Sequence, residues 1–383
     1  MTTVGVLRET TAGERRVALT PDGVSRLGKQ NLRVLVEAGA GERAWSDDAA
    51  YTAAGATVAT REQVYADSDM LVCVSTPEDT GCLHDGQALL ALRIDPVLAP
   101  RLADAKVTAL GLDLLPRTLS RAQAMDALTS QANVAGYKAV LVAAAAYGGY
   151  FPMLMTAAGT TRPAQVLVIG AGVAGLQAIA TARRLGAMVT GYDVREAAAA
   201  DIASTGAAVL DLSGPGGTGE GGYARRLTAE EAAAQQQALT AALGRFDIVI
   251  TTAQVPGRRP PLLVSAEALD ALHPGAVVVD LAASEFGGNV AGSRPDSTVV
   301  TPRGVTVVGA GNLPATVPQA ASAAYSRNVC ALLGHLVVDG ALAVDLADEI
   351  QAGVVVTHDG LVVHPQVQAT LDKLDTLDKE VRS

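Results

Sequence analysis

Short apolar runs alternate with helix-like segments along most of this chain, a rhythm that predicts parallel sheets. In the first ~110 residues the candidate strands are Val4–Leu7, Leu32–Glu37, Met70–Ser75 and Val107–Leu110, with helices expected at Asp22–Leu27 and Asp47–Ala54. From Gln165 the pattern repeats more clearly, with candidate strands at Gln165–Ile169, Met188–Tyr192, Ala208–Leu212, Asp247–Thr252, Ala276–Leu281 and Val305–Val308. Six strands with intervening helices are enough for one complete doubly wound domain. Ser322–Val337 has a helical pattern, and a short strand-like VVVT follows Gly353.

The second repeat opens on Gly170-Ala171-Gly172-Val173-Ala174-Gly175, set between the apolar run 165–169 and a helix-like segment ending at Gly186. A second apolar run then ends in Asp193, which is 18 residues after Gly175. Strand, glycine turn, helix, strand and acid follow in the order of a dinucleotide site. Gly170 allows the tight turn, Gly172 lets the backbone approach a pyrophosphate, and Gly175 lets helix and strand pack closely. The helix N-terminus offers N–H groups and partial positive charge to phosphates. Asp193 can accept from both ribose hydroxyls and repels a 2′-phosphate, which favours NAD(H) over NADP(H); Arg195 pulls the other way. The expected fold is α/β, with two doubly wound Rossmann-like domains, the second inserted into the first, and a cleft between them. Residues 1–130 and 313–383 make the first, catalytic-type domain and 131–312 the NAD-binding one. The chain crosses at roughly Ser120–Val142, where a long helix would serve as hinge.

One segment breaks the rhythm. Residues 213–222, SGPGGTGEGG, precede Tyr223 and read either as a plain connector or as a mobile loop (213–224) closing over a ligand, with Tyr223 at its tip. The helix after it has a capping-box start, Thr228 to Glu231.

A length of 383 residues suits two domains. Hydrophobic residues are 49% and aromatics only 3%, so the core must be built mainly from Ala, Val and Leu. The net charge of −10, without a basic cluster, argues against nucleic acid. Cys73, Cys82 and Cys330 form no CxxC pair, which fits a reduced compartment, and read best as small buried hydrophobes. The five histidines (His84, His273, His335, His358 and His364) show no metal-ligand spacing and read as surface or structural residues, so no metal is expected. The most apolar stretch, Ala139–Tyr150, is shorter than the ~20 residues that span a membrane. No signal-peptide pattern precedes the strand-like Val4–Leu7.

Several motifs together carry a family resemblance over nearly the whole chain: RETTAGERRVALTP (8–21), SRAQAMDALTSQANVAGYKAV (120–140), FPMLMTAAGT (151–160), YDVR (192–195), GGYA (221–224), TTAQVPG (251–257) and VTHDGLVVHP (356–365). On these the chain resembles the NAD-binding domain I, in its separate alpha-subunit form, of proton-translocating NAD(P) transhydrogenases, whose wider relatives are the alanine dehydrogenases. The resemblance implies that Arg117, Gln123, Asp126 and Thr129 face the nicotinamide half of NAD(H), although one additional residue lies between Arg117 and Ser120. On spacing alone, Ser120 and Gln123 equally fit a helix capping box, and Asp126 suits a helix dipole. It further implies pyrophosphate and adenosine contacts at Gly170, Gly172, Val173, Ala174, Gly175, Asp193, Val194 and Arg195. Further contacts are implied at Gly222, Tyr223, Gln235 and Gln254, the last of these replacing a more usual apolar residue. Arg16 matches a substrate-side arginine of the alanine dehydrogenases. The lysine and histidine that those enzymes use for proton handling fall on Cys73 and Leu92, so the acid–base pair of reductive amination is missing. Direct hydride transfer between two nicotinamides needs positioning and dryness rather than proton transfer. The expectation is an NAD(H)-binding subunit passing hydride to NADP⁺ on a partner, with the alternative of a stand-alone alanine-dehydrogenase-type oxidoreductase. The implied partners are NADP-binding and membrane-spanning transhydrogenase subunits and a second copy of the chain. The implied location is the cytoplasmic face of the membrane, through those partners and with no span of its own.

Overall fold

The computed structural model describes residues 2–212, 228–254, 259–338 and 340–382. The segment 213–227, with Gly222, Tyr223 and the proposed mobile loop, lies outside the described residues. The chain forms two compact units, Met1–Gln131 with Val317–Ser383, and Ala132–Thr316.

In the first unit six strands run parallel: β1 (Thr3–Val6), β2 (Arg33–Glu37), β3 (Thr57–Ala59), β4 (Met70–Val72), β5 (Ala88–Ala91) and β6 (Thr108–Gly111). Their spatial order is β3-β2-β1-β4-β5-β6, extended beyond β6 by the antiparallel strands Val355–His358 and Leu361–Val362. β1 and β4–β6 are buried along their whole length, as expected for parallel strands covered on both faces. Strands β3 and β5 escape the sequence pattern. β3 is only three residues long, and β5, Ala-Leu-Leu-Ala, has no β-branched residue and reads equally well as helix.

The second unit repeats the plan with β7 (Gln165–Ile169), β8 (Met188–Tyr192), β9 (Ala208–Val209), β10 (Ile248–Thr251), β11 (Val277–Asp280), β12 (Ser297–Val300) and β13 (Thr306–Gly309). The order is β9-β8-β7-β10-β11-β13-β12, with β12 antiparallel at the edge. Leaving that edge aside, both sheets follow the 3-2-1-4-5-6 winding of a dinucleotide-binding fold. Alternation along β7 feeds two cores: Val166 and Val168 join one apolar cluster, Leu167 and Ile169 the other. The register pairs Gln165 with Met188 and Ile169 with Tyr192. β7 and β8 therefore end level, and the glycine turn emerges beside Asp193.

A 3₁₀ segment, Ser120–Met125, leads into the long helix Ala127–Ala146 where the chain passes from one unit to the other. The returning helix spans Pro318–Leu336, starting four residues before the sequence pattern suggests because Pro318 serves in its first turn. Cys73 and Cys330 are buried as expected, but Cys82 is exposed; it ends the short 3₁₀ turn Thr80–Cys82, which has no buried residue.

Candidate nucleotide site

In the second unit the strand order reverses between β8–β7 and β10, the switch point at which open α/β sheets bind ligands. Thr252, just past β10, donates its hydroxyl to the carbonyls of Ile169 and Gly170 at 3.3 and 3.2 Å, tying the two loops together there. Gly170 has φ +102°, a conformation side chains rarely adopt. A Cβ on Gly175 would lie 1.8 Å from the Gly170 carbonyl oxygen, so only glycine lets the helix Val173–Arg184 start so close to the turn. Gly172 differs from both. Its backbone is ordinary extended chain (φ −77°), and a Cβ there would meet nothing within 4 Å. It is the N-cap of that helix and makes no side-chain cap, so the N–H groups of the first turn, at Val173 and Ala174, face an open cradle.

Asp193 closes one side of the cradle. Its carboxylate, 8% exposed, accepts the Ala171 N–H at 2.7 Å and the Arg195 N–H at 2.9 Å. The Arg195 side chain adds Nε to Oδ1 at 2.9 Å and Nη2 to Oδ2 at 3.0 Å. Burial works to raise the Asp193 pKa, but the Arg195 guanidinium and the two N–H bonds outweigh it and hold the carboxyl below its ordinary value. The sequence expectation that Asp193 stands ready for both ribose hydroxyls thus gains a condition: Arg195 now fills those acceptor positions and must yield. Val194 packs against the apolar cluster behind β7. The predicted capping box at Thr228 and Glu231 is formed. On the same helix, Gln235 donates to the Tyr192 hydroxyl at 2.5 Å, next to Asp193. Gln254 donates to the Leu281 carbonyl. The loop that carries it is pinned by buried Asn289, which accepts the Ala253 N–H at 3.0 Å and donates to the carbonyls of Ala253 and Pro261.

In the first unit the structure brings Arg117, Asp126 and Thr129 together despite the additional residue after Arg117. Arg117 Nε donates to Asp126 Oδ2 at 3.1 Å and Nη2 to Thr129 Oγ1 at 3.1 Å, while the Thr129 hydroxyl donates to Asp126 Oδ2 at 2.6 Å. Asp126 also accepts the Thr129 N–H at 2.8 Å, capping the long helix. The Ser120–Gln123 capping box does not form: the 3₁₀ segment has Leu119 at its N-cap and no side-chain cap, so Asp126 takes that role six residues later. Gln123 is exposed, and its amide makes no hydrogen bond to another described residue.

The positions that the family resemblance matches to an amino-acid dehydrogenase's proton-handling pair hold Cys73 and Leu92. The Cys73 thiol is buried, and burial pushes its pKa well above the ordinary value. Leu92 packs on the apolar core. Arg16 is buried and committed, with its guanidinium on both oxygens of Glu14 and on Gln131 at 2.6–2.8 Å. Glu9 escapes the sequence pattern. Only 6% exposed, it accepts the N–H groups of Val74 and Ser75 at 2.6 and 3.1 Å. Burial raises its pKa to about 7 against the pull of those two bonds.

A doubly wound sheet with an open glycine cradle at its switch point defines a dinucleotide-binding α/β protein. Two family models cover most of the chain: alanine dehydrogenase/PNT, N-terminal domain, over residues 5–135, and alanine dehydrogenase/PNT, C-terminal domain, over residues 139–365. The chain is 41% identical to an NAD(P) transhydrogenase subunit alpha polypeptide of Rhodospirillum rubrum, over 94% of this chain and 98% of that one. It is 32% identical to the alanine dehydrogenase of Mycobacterium tuberculosis, over 96% of each. A solved transhydrogenase structure from Sinorhizobium meliloti superposes with a TM-score of 0.84 at 39% identity, covering 94% of this chain and 100% of that one. The chain belongs to the alanine dehydrogenase/PNT family and is an oxidoreductase of its transhydrogenase branch.

Proposed function

We propose that this chain is the NAD(H)-binding subunit of a proton-translocating transhydrogenase, delivering hydride to NADP⁺ held on a partner subunit while membrane subunits carry the protons. One observation carries the reading: an intact nucleotide cradle coexists with Cys73 and Leu92 where an amino-acid dehydrogenase needs its proton donors. Bound NADH supplies the hydride; the chain supplies position. Gly172 and the helix start at Val173 and Ala174 hold the pyrophosphate, and Gly170 and Gly175 shape the turn beneath it. Asp193, once Arg195 swings aside, takes the adenosine ribose. A carboxylate held below its ordinary pKa there opposes a 2′-phosphate, which supports NAD(H). Arg117, Gln123, Asp126 and Thr129 orient the nicotinamide half, with Gln123 contributing a free amide. Gln235, Gln254, Gly222 and Tyr223 complete the contacts.

The test is reconstitution. The chain alone is expected to bind NADH with little turnover, and adding an NADP-binding partner domain should raise transhydrogenation between nicotinamide analogues at least about a hundredfold. Pyruvate- and ammonia-dependent NADH oxidation should stay at background. No gain with a competent partner refutes the reading, and strong pyruvate turnover would replace it with the amino-acid dehydrogenase.

Membrane attachment is assigned to the partners, since no helix among the described residues is long and apolar enough to cross a membrane. A second copy is supported by a two-stranded hairpin, Leu154–Thr156 with Gly159–Thr161, that joins no larger sheet among the described residues. Such a hairpin is marginal unsupported, yet Met155 is 75% exposed and Tyr150 and Met153 are exposed beside it. Met155→Asp is expected to shift the chain from dimer to monomer in sedimentation at micromolar concentration; an unchanged dimer would place the contact elsewhere.

A further inference from the structure

The segment that bears Arg117, Gln123 and Asp126 has little regular structure of its own. Ser120–Met125 is a six-residue 3₁₀ run, longer than such turns usually hold, and it breaks at Asp126 with ψ 87°. Its position must come from elements packed on it, and the first unit supplies two. From the helix Pro318–Leu336, Asn328 donates to the Ala124 carbonyl at 2.8 Å and accepts the Ser130 hydroxyl at 2.7 Å. The second is the short helix Glu349–Val354. Asp348 caps it, accepting the N–H groups of Ile350 and Gln351 at 2.9 and 3.0 Å, and also meets His335 Nε2 at 3.0 Å. Arg121 reaches across to this cap, with Nη1 3.3 Å from Asp348 and Nη2 3.1 Å from Glu349. At its other end the same helix brings Gly353 against Pro116; a Cβ on Gly353 would lie 2.5 Å from Pro116 Cδ.

The helix therefore grips the segment at two points, Pro116 and Arg121, on either side of Arg117. We propose that Arg121, Asp348, Glu349 and Gly353 form a positioning clamp that presets Arg117, Gln123 and Asp126 for the nicotinamide nucleotide, an inference that rests on the NAD(H) reading of that segment. Arg121 is a positioning residue: its ion pairs go to the two carboxylates of the clamp. It is half exposed, and exposed ion pairs add little to fold stability, so its loss should register in binding rather than in unfolding. The forked guanidinium spans both carboxylates at once; a lysine ammonium is a single point charge and holds one.

The test uses the full chain and NADH itself. Kd is measured by NADH fluorescence, and KM and kcat with an NADP-binding partner domain, for wild type, Arg121→Ala, Arg121→Lys and Gly353→Ala; thermal unfolding is followed without nucleotide. Misplacing a segment that orients the reacting ring by about an ångström can cost up to about a hundredfold in rate. Arg121→Ala is expected to show a severalfold rise in Kd and KM, a fall in kcat at saturation of roughly tenfold or more, and a Tm within about 2 °C of wild type. Arg121→Lys should recover part of the affinity, and Gly353→Ala should weaken binding in the same direction. Wild-type affinity in Arg121→Ala overturns the proposal whatever Gly353→Ala does. So does a Tm loss in Arg121→Ala that lysine fails to reduce, since that marks a purely structural role. Failure of the wild-type chain to bind NADH is a different result and overturns the NAD(H) reading itself.

Discussion

Replacing Gly172 by alanine should weaken NADH binding by at least about a hundredfold, some 2.7 kcal/mol, while moving the Tm of the nucleotide-free chain by no more than about 3 °C. The three glycines of this turn differ in what their backbone and surroundings require. Gly170 needs its positive φ, and Gly175 has no room for a Cβ. Gly172 needs neither: alanine adopts φ −77° readily and its methyl would enter empty space. The cost to the apoprotein is the poorer N-cap propensity of alanine, up to about 1 kcal/mol. That methyl, however, would stand where backbone N–H groups must come within hydrogen-bond reach of the pyrophosphate. Gly175→Ala is the control. Its Cβ, 1.8 Å from the Gly170 carbonyl, forces strand and helix apart, so stability and binding should fall together. Differential scanning fluorimetry and NADH fluorescence titration separate the two cases. Wild-type affinity in Gly172→Ala would show that no phosphate passes over this turn.

What can be read from the sequence follows from which forces act locally. β7 and β8 appear in the sequence with the bounds they have in the structure, because a buried parallel strand is an apolar run and each run here stops at a residue with its own chemistry, Gly170 and Asp193. The edge strand β12 has no buried residue, so it carries no apolar pattern to find. The spacing of Ser120 and Gln123 suggests a cap as well as a ligand contact; the choice of Asp126 instead depends on Arg117 and Thr129 arriving from either side, which spacing alone does not encode. Asp193 is legible as the acid at the end of β8, but its engagement by Arg195 is not, since a neighbouring arginine reads equally as solvated. Glu9 is the clearest case. It stands in a stretch with Arg8, Glu14, Arg15 and Arg16 that looks like a charged surface, and only the loop after β4, brought alongside β1 by the winding of the sheet, buries it.

That burial makes stability depend on pH in a way one substitution can remove. Glu9 titrates at about 7 in the folded chain against an ordinary value of 4.5. Between those values the folded state holds a proton that the unfolded state has released. Stability from this residue is therefore greatest below about pH 4.5, falls as pH rises toward 7, and stays at the lower level above it. Two and a half pKa units at about 1.4 kcal/mol each put the whole change on the order of 3 kcal/mol. Glu9→Gln keeps the shape and removes the titration, but its single carbonyl oxygen satisfies only one of the N–H groups of Val74 and Ser75, at a cost of about 1 kcal/mol. The variant should thus be nearly as stable as wild type near pH 5, where wild type has already lost part of its advantage, and clearly more stable near pH 8. At roughly 2–4 °C per kcal/mol for a unit of this size, the difference in Tm between variant and wild type should swing by about 5–10 °C across that range. Taking the difference cancels the carboxylates common to both chains, such as Asp79, held down to about 2 first by its bond from Arg61. Thermal unfolding of the two proteins from pH 5 to pH 8 makes the comparison, and parallel curves would mean that Glu9 stays ionised in the folded chain.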